Sequence, residues 1–328
     1  MVHELDNQLI EKIQEQSALF NLLKNEVGKH IVGNEKAIDF IIIALLCNGH
    51  ILLEGVPGVA KTKMIKTISD ALGLSFKRIQ FTPDLLPADL LGTLIFNPKT
   101  HEFETKKGPI FANLILADEI NRTPAKVQAA LLECMQEHQV TLGSTTYNLE
   151  KPFLVFATQN PIEQEGTYRL PEAQIDRFMF KLLIEYLNPE QEKQIIAKTE
   201  NSSPIVRILD QATISAAQAL VKKVYVDQKI VDYIIDLIFA TRRPQDYGLK
   251  NIKPYIHYGV SPRATLALYH AAQAHAFLKK RHFVIPDDVK AVAPAVLRHR
   301  ITLSYEAEAD DITQDAIIQT ILNTIPSP

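Results

Sequence analysis

Gly55-Val56-Pro57-Gly58-Val59-Ala60-Lys61-Thr62 lies between the apolar run His50 to Glu54 and the helical pattern Lys63 to Leu72. A buried strand is therefore expected to pass into a helix through a loop of small residues. Small residues let successive backbone amides curl around phosphate oxygens, and the following helix turns its partially positive end towards them. A lysine in the first helical turn is electrostatically misplaced unless an anion reverses the local field. Lys61 thus argues for a phosphate, held by Val56, Pro57, Gly58, Val59, Ala60, Lys61, Thr62 and Lys63. Ala60 stands where the phosphate-loop pattern has glycine, and its methyl forbids little unless the residue needs a positive φ.

Outward from this loop, short apolar or β-rich runs recur at His50 to Glu54, Phe76 to Phe81, Asn113 to Ala117, Phe153 to Thr158 and Phe178 to Ile184, with helical patterns between several of them. Near-continuous apolar strands alternating with helices predict an α/β fold of the P-loop NTPase kind, a mostly parallel five-stranded sheet covered by helices on both faces. Ligands of such sheets bind beyond the carboxyl ends of the strands. The phosphate loop has the Walker A pattern and falls there. So does Leu114-Ile115-Leu116-Ala117-Asp118-Glu119, an apolar strand ending in paired carboxylates as a Walker B motif does. Asp118 is expected to hold a magnesium ion beside the hydroxyl of Thr62, and Glu119 to polarise the water that attacks the γ-phosphate of ATP. An acidic strand end could instead cap the next helix, but Thr123-Pro124 already offers a cap and a first-turn proline, which leaves both carboxylates free. The strand Phe153 to Thr158 exits into Gln159-Asn160-Pro161. This is either a plain turn or, in this company, a place for Asn160 to orient the attacking water.

The 328 residues suit two domains, and 46% apolar with 22% charged residues is a globular balance. The apolar run Phe40 to Cys47 is less than half of the roughly 20 residues that span a bilayer, and the amino-terminal stretch shows no basic-then-apolar leader. Cys47 and Cys134 stand far apart, so no disulfide framework or zinc site is readable. A cytoplasmic protein without a membrane partner is expected. The net charge of −3 lacks the basic excess of a dedicated nucleic-acid binder. HExxH, GxSxG and GxGxxG motifs are absent from the sequence.

Two hairpins are expected, one from Thr93 to Phe96 and Glu102 to Lys106 around Asn97-Pro98-Lys99-Thr100, the other from Val140 to Leu149 turning near Gly143-Ser144. Either they face a partner or they decorate an edge. From Asn188-Pro189 onward strand patterns vanish and helical ones dominate, at Asp227 to Thr241, Ser261 to Leu278, Pro286 to Arg298 and Asp311 to Leu322. The division expected is an αβα core over 1–187 and a smaller all-α lid over 188–328. Ser261 and Pro262 read as cap and first turn of a helix, which puts Arg263 at the wrong end of a dipole unless a phosphate is near. The segment from Arg242 to Tyr258 reads as a connector.

With Ile31-Val32-Gly33-Asn34-Glu35, Glu54 to Thr62, Ala117 to Arg122, Ala157 to Pro161, Leu170 to Phe178 and Gly259 to Ala264 in this order, the chain resembles the AAA+ ATPases and, among them, the MoxR family, relatives of the ATPase subunit of magnesium chelatase. The resemblance spans nearly the whole chain. It implies that Ile31, Val32 and Gly33 line an adenine pocket and that Arg263 is a sensor of the γ-phosphate carried on the lid. It also implies that the stretch Arg169 to Phe178 carries an arginine finger, Arg177 by first choice and Arg169 by second, for a neighbouring copy in a hexameric ring. A finger supplied by a partner molecule can be worth about 10³ to 10⁵ in rate.

The resemblance further implies a chaperone-like ATPase, using ATP and Mg²⁺, that remodels or matures a client protein complex, with a von Willebrand factor A domain protein as the partner type. A metal-chelatase motor subunit shares these signatures. A slow nucleotide-binding assembly switch is the reading from another class, against which Glu119 speaks.

Overall fold

The computed structural model describes residues 2–56, 58–160, 168, 170–200 and 204–328, leaving aside the side chains of 2–6 and 197–200. Among these, five parallel strands make the central sheet in the order Phe76–Gln80, Leu114–Asp118, Leu154–Gln159, Ile51–Gly55, Phe180–Ile184. Each of the apolar runs read from sequence becomes one of these strands, displaced by one or two residues. The inner strands are buried on both faces, which is why they read as unbroken apolar runs rather than alternating ones. The order matters for chemistry, because the strand Leu114–Asp118 with its acidic end is flanked by Phe76–Gln80 and Leu154–Gln159, with Gln80 opposite Asp118 and Ala117 opposite Ala157.

Apolar packing falls into two clusters that follow the faces of the sheet. The larger runs from the helices Val2–His30 and Glu35–Cys47 through Lys61–Leu72 and one sheet face into the carboxyl-terminal helices. The smaller joins the opposite face to the helix Ala125–Glu137 and to the second hairpin. The carboxyl-terminal helices Gln228–Arg242, Pro262–Leu278, Pro286–Leu297 and Gln314–Thr324 thus share a continuous core with the amino-terminal helices. Both expected hairpins form, as Gly92–Asn97 with Glu102–Lys107 and Gln139–Leu142 with Thr145–Asn148.

Two local expectations are corrected. Thr123 does not cap the next helix. A 3₁₀ turn, Ile120–Arg122, intervenes, the buried Thr123 hydroxyl donates to the Thr82 carbonyl at 2.9 Å, and Pro124 precedes Ala125 with no side-chain cap. The lid region is not purely helical, since Ile256–Tyr258 pairs antiparallel with Thr302–Leu303; strands of two and three residues are too short to carry a periodicity. The connector from Arg242 to Tyr258 contains that strand and two 3₁₀ turns, Pro244–Tyr247 and Lys253–Tyr255.

Candidate nucleotide-binding site

The strand Ile51–Gly55 delivers the phosphate loop to the rim of the sheet, and the helix Lys61–Leu72 leaves it. At Gly55 a side chain would meet the Ile184 carbonyl of the adjoining strand at 2.3 Å. Gly58 instead needs its backbone freedom, at φ 85°. Ala60 takes the same left-handed region at φ 58° and ψ 24°. The sequence reading held that alanine forbids little there unless the residue needs a positive φ; the position does need one, so it is strained, costing roughly 1–2 kcal/mol relative to a residue without Cβ.

Gly58, Val59, Ala60, Lys61, Thr62 and Lys63 line a cavity of about 410 Å³ together with Asp118, Glu119 and Asn160. Motifs separated by some sixty and one hundred residues of chain thus face one space. The Lys61 ammonium donates to the Gly55 carbonyl. Partial burial pulls its pKa below the ordinary lysine value, while the carboxylates of Asp118, Glu54 and Glu119 pull it up. A half-desolvated cation at a helix start is suited to an anion with several oxygens.

The two carboxylates are not free, contrary to the sequence reading. Asp118 Oδ2 accepts from Arg78 Nη2 at 2.6 Å and Nε at 3.0 Å. Its Oδ1 accepts from Thr158 Oγ1 at 2.6 Å. Thr158 Oγ1 in turn accepts the Glu119 backbone N–H at 2.8 Å. Glu119 sits in the left-handed region, φ 58° and ψ 49°, a conformation that collects at functional sites. Its Oε2 accepts from Gln80 Nε2 at 2.8 Å and lies 3.1 Å from Arg122 Nε. The physical reason is general, in that carboxylates grouped at a partly buried strand end recruit whatever donors the adjoining strands offer.

Arg78, Gln80 and Thr158 were missed from sequence. Arg78 and Gln80 share one face of the strand Phe76–Gln80 by its period of two, with buried Ile79 between them. Two polar side chains two apart at the carboxyl end of a strand were the available signal.

Other expected residues lie elsewhere. Ile31 is buried in the larger apolar cluster. Val32 and Val56 are half-buried and outside the phosphate cavity. Gly33 lines a separate cleft of about 670 Å³ with Leu183, Gln191 and Arg298. Arg177 lines another, of about 320 Å³, beside Glu133 and Gln174; its Nη1 donates to the Leu132 carbonyl at 3.1 Å and, among the described residues, its buried Nε makes no hydrogen bond. Arg263 stands at the start of its helix, whose cap is Ser261, and Nη1 lies 3.4 Å from Asp176 Oδ2. The anion that reconciles this arginine with the helix dipole is therefore a carboxylate of the chain itself, where the sequence reading asked for a phosphate. Pro57 and Arg169 lie outside the described residues.

Residues 50–180 match a family model for ATPases associated with various cellular activities, AAA, and residues 249–321 match a model for the AAA lid domain. The chain is 47% identical over 304 residues to the chaperone MoxR1 of Mycobacterium tuberculosis, covering 92% of this chain and 81% of that one. It is 44% identical to the protein YeaC of Bacillus subtilis, covering 92% of each, and 31% identical to the protein MoxR of Paracoccus denitrificans, covering 91% of this chain and 93% of that one. The crystal structure of a candidate ATPase from Cytophaga hutchinsonii superposes with a TM-score of 0.92 at 47% identity, over 100% of this chain and 99% of the other. No helix among the described residues is long and apolar enough to cross a membrane. The phosphate cavity lies largely within the segment matched by the AAA model, and the likeness to MoxR1 runs through core and lid alike, so the chain belongs to the MoxR family of AAA+ ATPases.

Proposed function

We propose that the protein hydrolyses ATP with the help of magnesium and uses the cycle to remodel or mature a protein complex. The observation that carries this reading is the single cavity shared by Lys61, Thr62, Asp118, Glu119 and Asn160. Lys61 and the loop amides bind the phosphates. The Thr62 hydroxyl and the Asp118 carboxylate are oxygen donors of the kind a hard divalent cation takes. No group of three or more His, Cys, Asp or Glu side chains among the described residues is arranged to hold a metal, so the fit is to an ion that completes its shell with phosphate and water. When bound, magnesium neutralises charge on the phosphate oxygens. Glu119 exchanges its Gln80 and Arg122 contacts for the attacking water, and Asn160 orients that water. Arg177, or Arg169 in its place, reaches the site of a neighbouring copy in a hexameric ring, and Arg263 exchanges Asp176 for the γ-phosphate.

The likeness to the chaperone MoxR1 supports a chaperone role over a metal-chelatase motor. A von Willebrand factor A domain protein is the partner type this reading carries. The pairing of both carboxylates inside the chain favours one second reading, a slow nucleotide-binding assembly switch. Turnover measured on wild type and Glu119→Gln decides between them. Hydrolysis that falls by about 10² or more with ATP binding retained supports the ATPase; a wild-type enzyme as slow as the variant supports the switch.

A further inference from the structure

The lid residue Arg300 reaches into the core and grips the segment that carries Arg177. Its side chain is 3% exposed. Nε donates to Asp176 Oδ1 at 2.8 Å, Nη1 to the carbonyls of Met179, at 3.1 Å, and Val296, and Nη2 to the carbonyls of Asp176 at 3.0 Å and Phe178 at 2.6 Å. A guanidinium has five N–H donors, and these contacts use the full set, four of them on the stretch Asp176 to Met179. One nitrogen, Nη2, spans the carbonyls on either side of Arg177. His299 Nε2 adds a bond to the Phe178 carbonyl at 2.9 Å, and Arg298 Nη1 one to the Lys181 carbonyl at 3.2 Å. Asp176 also accepts from Ser261 Oγ, at 2.8 and 2.9 Å to its two oxygens, and pairs with Arg263. Burial lowers the Arg300 pKa to about 10, and Asp176 opposes that shift.

A buried arginine with every donor on backbone and carboxylate oxygens cannot be imitated by a lysine, which lacks the rigid fork. The fork fixes where the chain stands at residues 176 and 178, and so the direction in which the Arg177 side chain leaves it. We propose that Arg300 is a positioning residue for Arg177, tying the arginine offered to a neighbouring copy to the orientation of this chain's own lid. The inference rests on the reading of Arg177 given above. Arg263 pairs with the same Asp176, so a lid that turns to bring Arg263 to its own γ-phosphate also disturbs the clamp on Arg177. Occupancy of one site is thereby passed to the next.

The full-length chain tests this through Arg300→Lys, Arg177→Ala and the double variant, each assayed for binding of a fluorescent ATP analogue and for ATP turnover, and each single variant also mixed with Lys61→Ala subunits. Arg300→Lys should bind the analogue within about twofold of wild type and lose about ten- to a hundredfold in kcat. Mixing with Lys61→Ala should restore part of that loss, because those subunits bring an intact Arg177 to the neighbour's working site. The double variant should be no slower than Arg177→Ala. Wild-type turnover in Arg300→Lys, a further loss in the double variant, or recovery on mixing for Arg177→Ala but not for Arg300→Lys would each overturn the inference while leaving the finger intact. Wild-type turnover in Arg177→Ala would sink the finger reading itself and this inference with it. If Arg300→Lys does not fold, as judged by its thermal transition, Asp176→Asn keeps the side-chain shape and removes the charge, and the same measurements apply.

Discussion

Arg78 and Asp118 meet across adjacent parallel strands, with the guanidinium Nη2 2.6 Å from Oδ2. Thr158 holds the other carboxylate oxygen. The group proposed to face magnesium is therefore satisfied from two sides, and one donor is a permanent cation that would compete with the metal for the carboxylate. The Arg78 side chain is 51% exposed, which limits the pair to about 1 kcal/mol after solvent screening.

Arg78→Ala should consequently release Asp118 and tighten the binding of Mn²⁺, used as a magnetic probe in place of magnesium, to the nucleotide-loaded protein by about fivefold, the equivalent of that 1 kcal/mol. Paramagnetic resonance titration reads this without turnover. Equal or weaker affinity would show that Arg78 does not compete for the carboxylate.

Ala60→Gly should stabilise the protein by about 1 kcal/mol. It relieves the left-handed strain of roughly 1–2 kcal/mol at φ 58°, set against the roughly 0.5–1 kcal/mol of extra chain entropy that glycine loses on folding. Thermal unfolding without nucleotide checks the sign, and a lowered midpoint would mean that the methyl makes a contact worth more than the strain.

Stability should fall with acid through His50. This buried imidazole accepts the Val155 N–H on Nδ1 and contacts the Met135 carbonyl through Nε2, so the neutral ring is the form that fits. Burial lowers its pKa to about 4, whereas the unfolded chain protonates near the ordinary value of about 6.5. Below that pH the unfolded state binds the proton first. The contribution is therefore complete above about pH 6.5 and drains away down to about pH 4, a loss on the order of 3 kcal/mol. Chemical unfolding at stepped pH should show this slope in wild type and a shallower one in His50→Gln; equal slopes would remove His50 as the cause.

Much of the architecture was legible in the chain because it rests on local pattern. Doubly buried strands such as Leu114–Asp118 and Leu154–Gln159 announce themselves as apolar runs, and both hairpins follow from turn residues between β-rich stretches. The loop Gly55 to Thr62 is contiguous, so its chemistry could be named before its shape was known. Thr123 misled for the opposite reason. Its cap-like position was local, but burial beside Thr82 settled where its hydroxyl went.

Sequence by itself thus determined the α/β plan, the phosphate loop and the acidic strand end, since each depends on neighbours along the chain. Only tertiary structure decided what those groups touch. Arg78 reaches Asp118 because their strands are adjacent in the sheet, and Arg263 and Arg300 converge on Asp176 from 87 and 124 residues away. Pairings of that kind depend on strand order and on how the lid packs against the core, and a one-dimensional pattern carries neither. The positive φ of Ala60 belongs with them, because the path of the loop between the strand and the helix, rather than the preference of alanine, sets it.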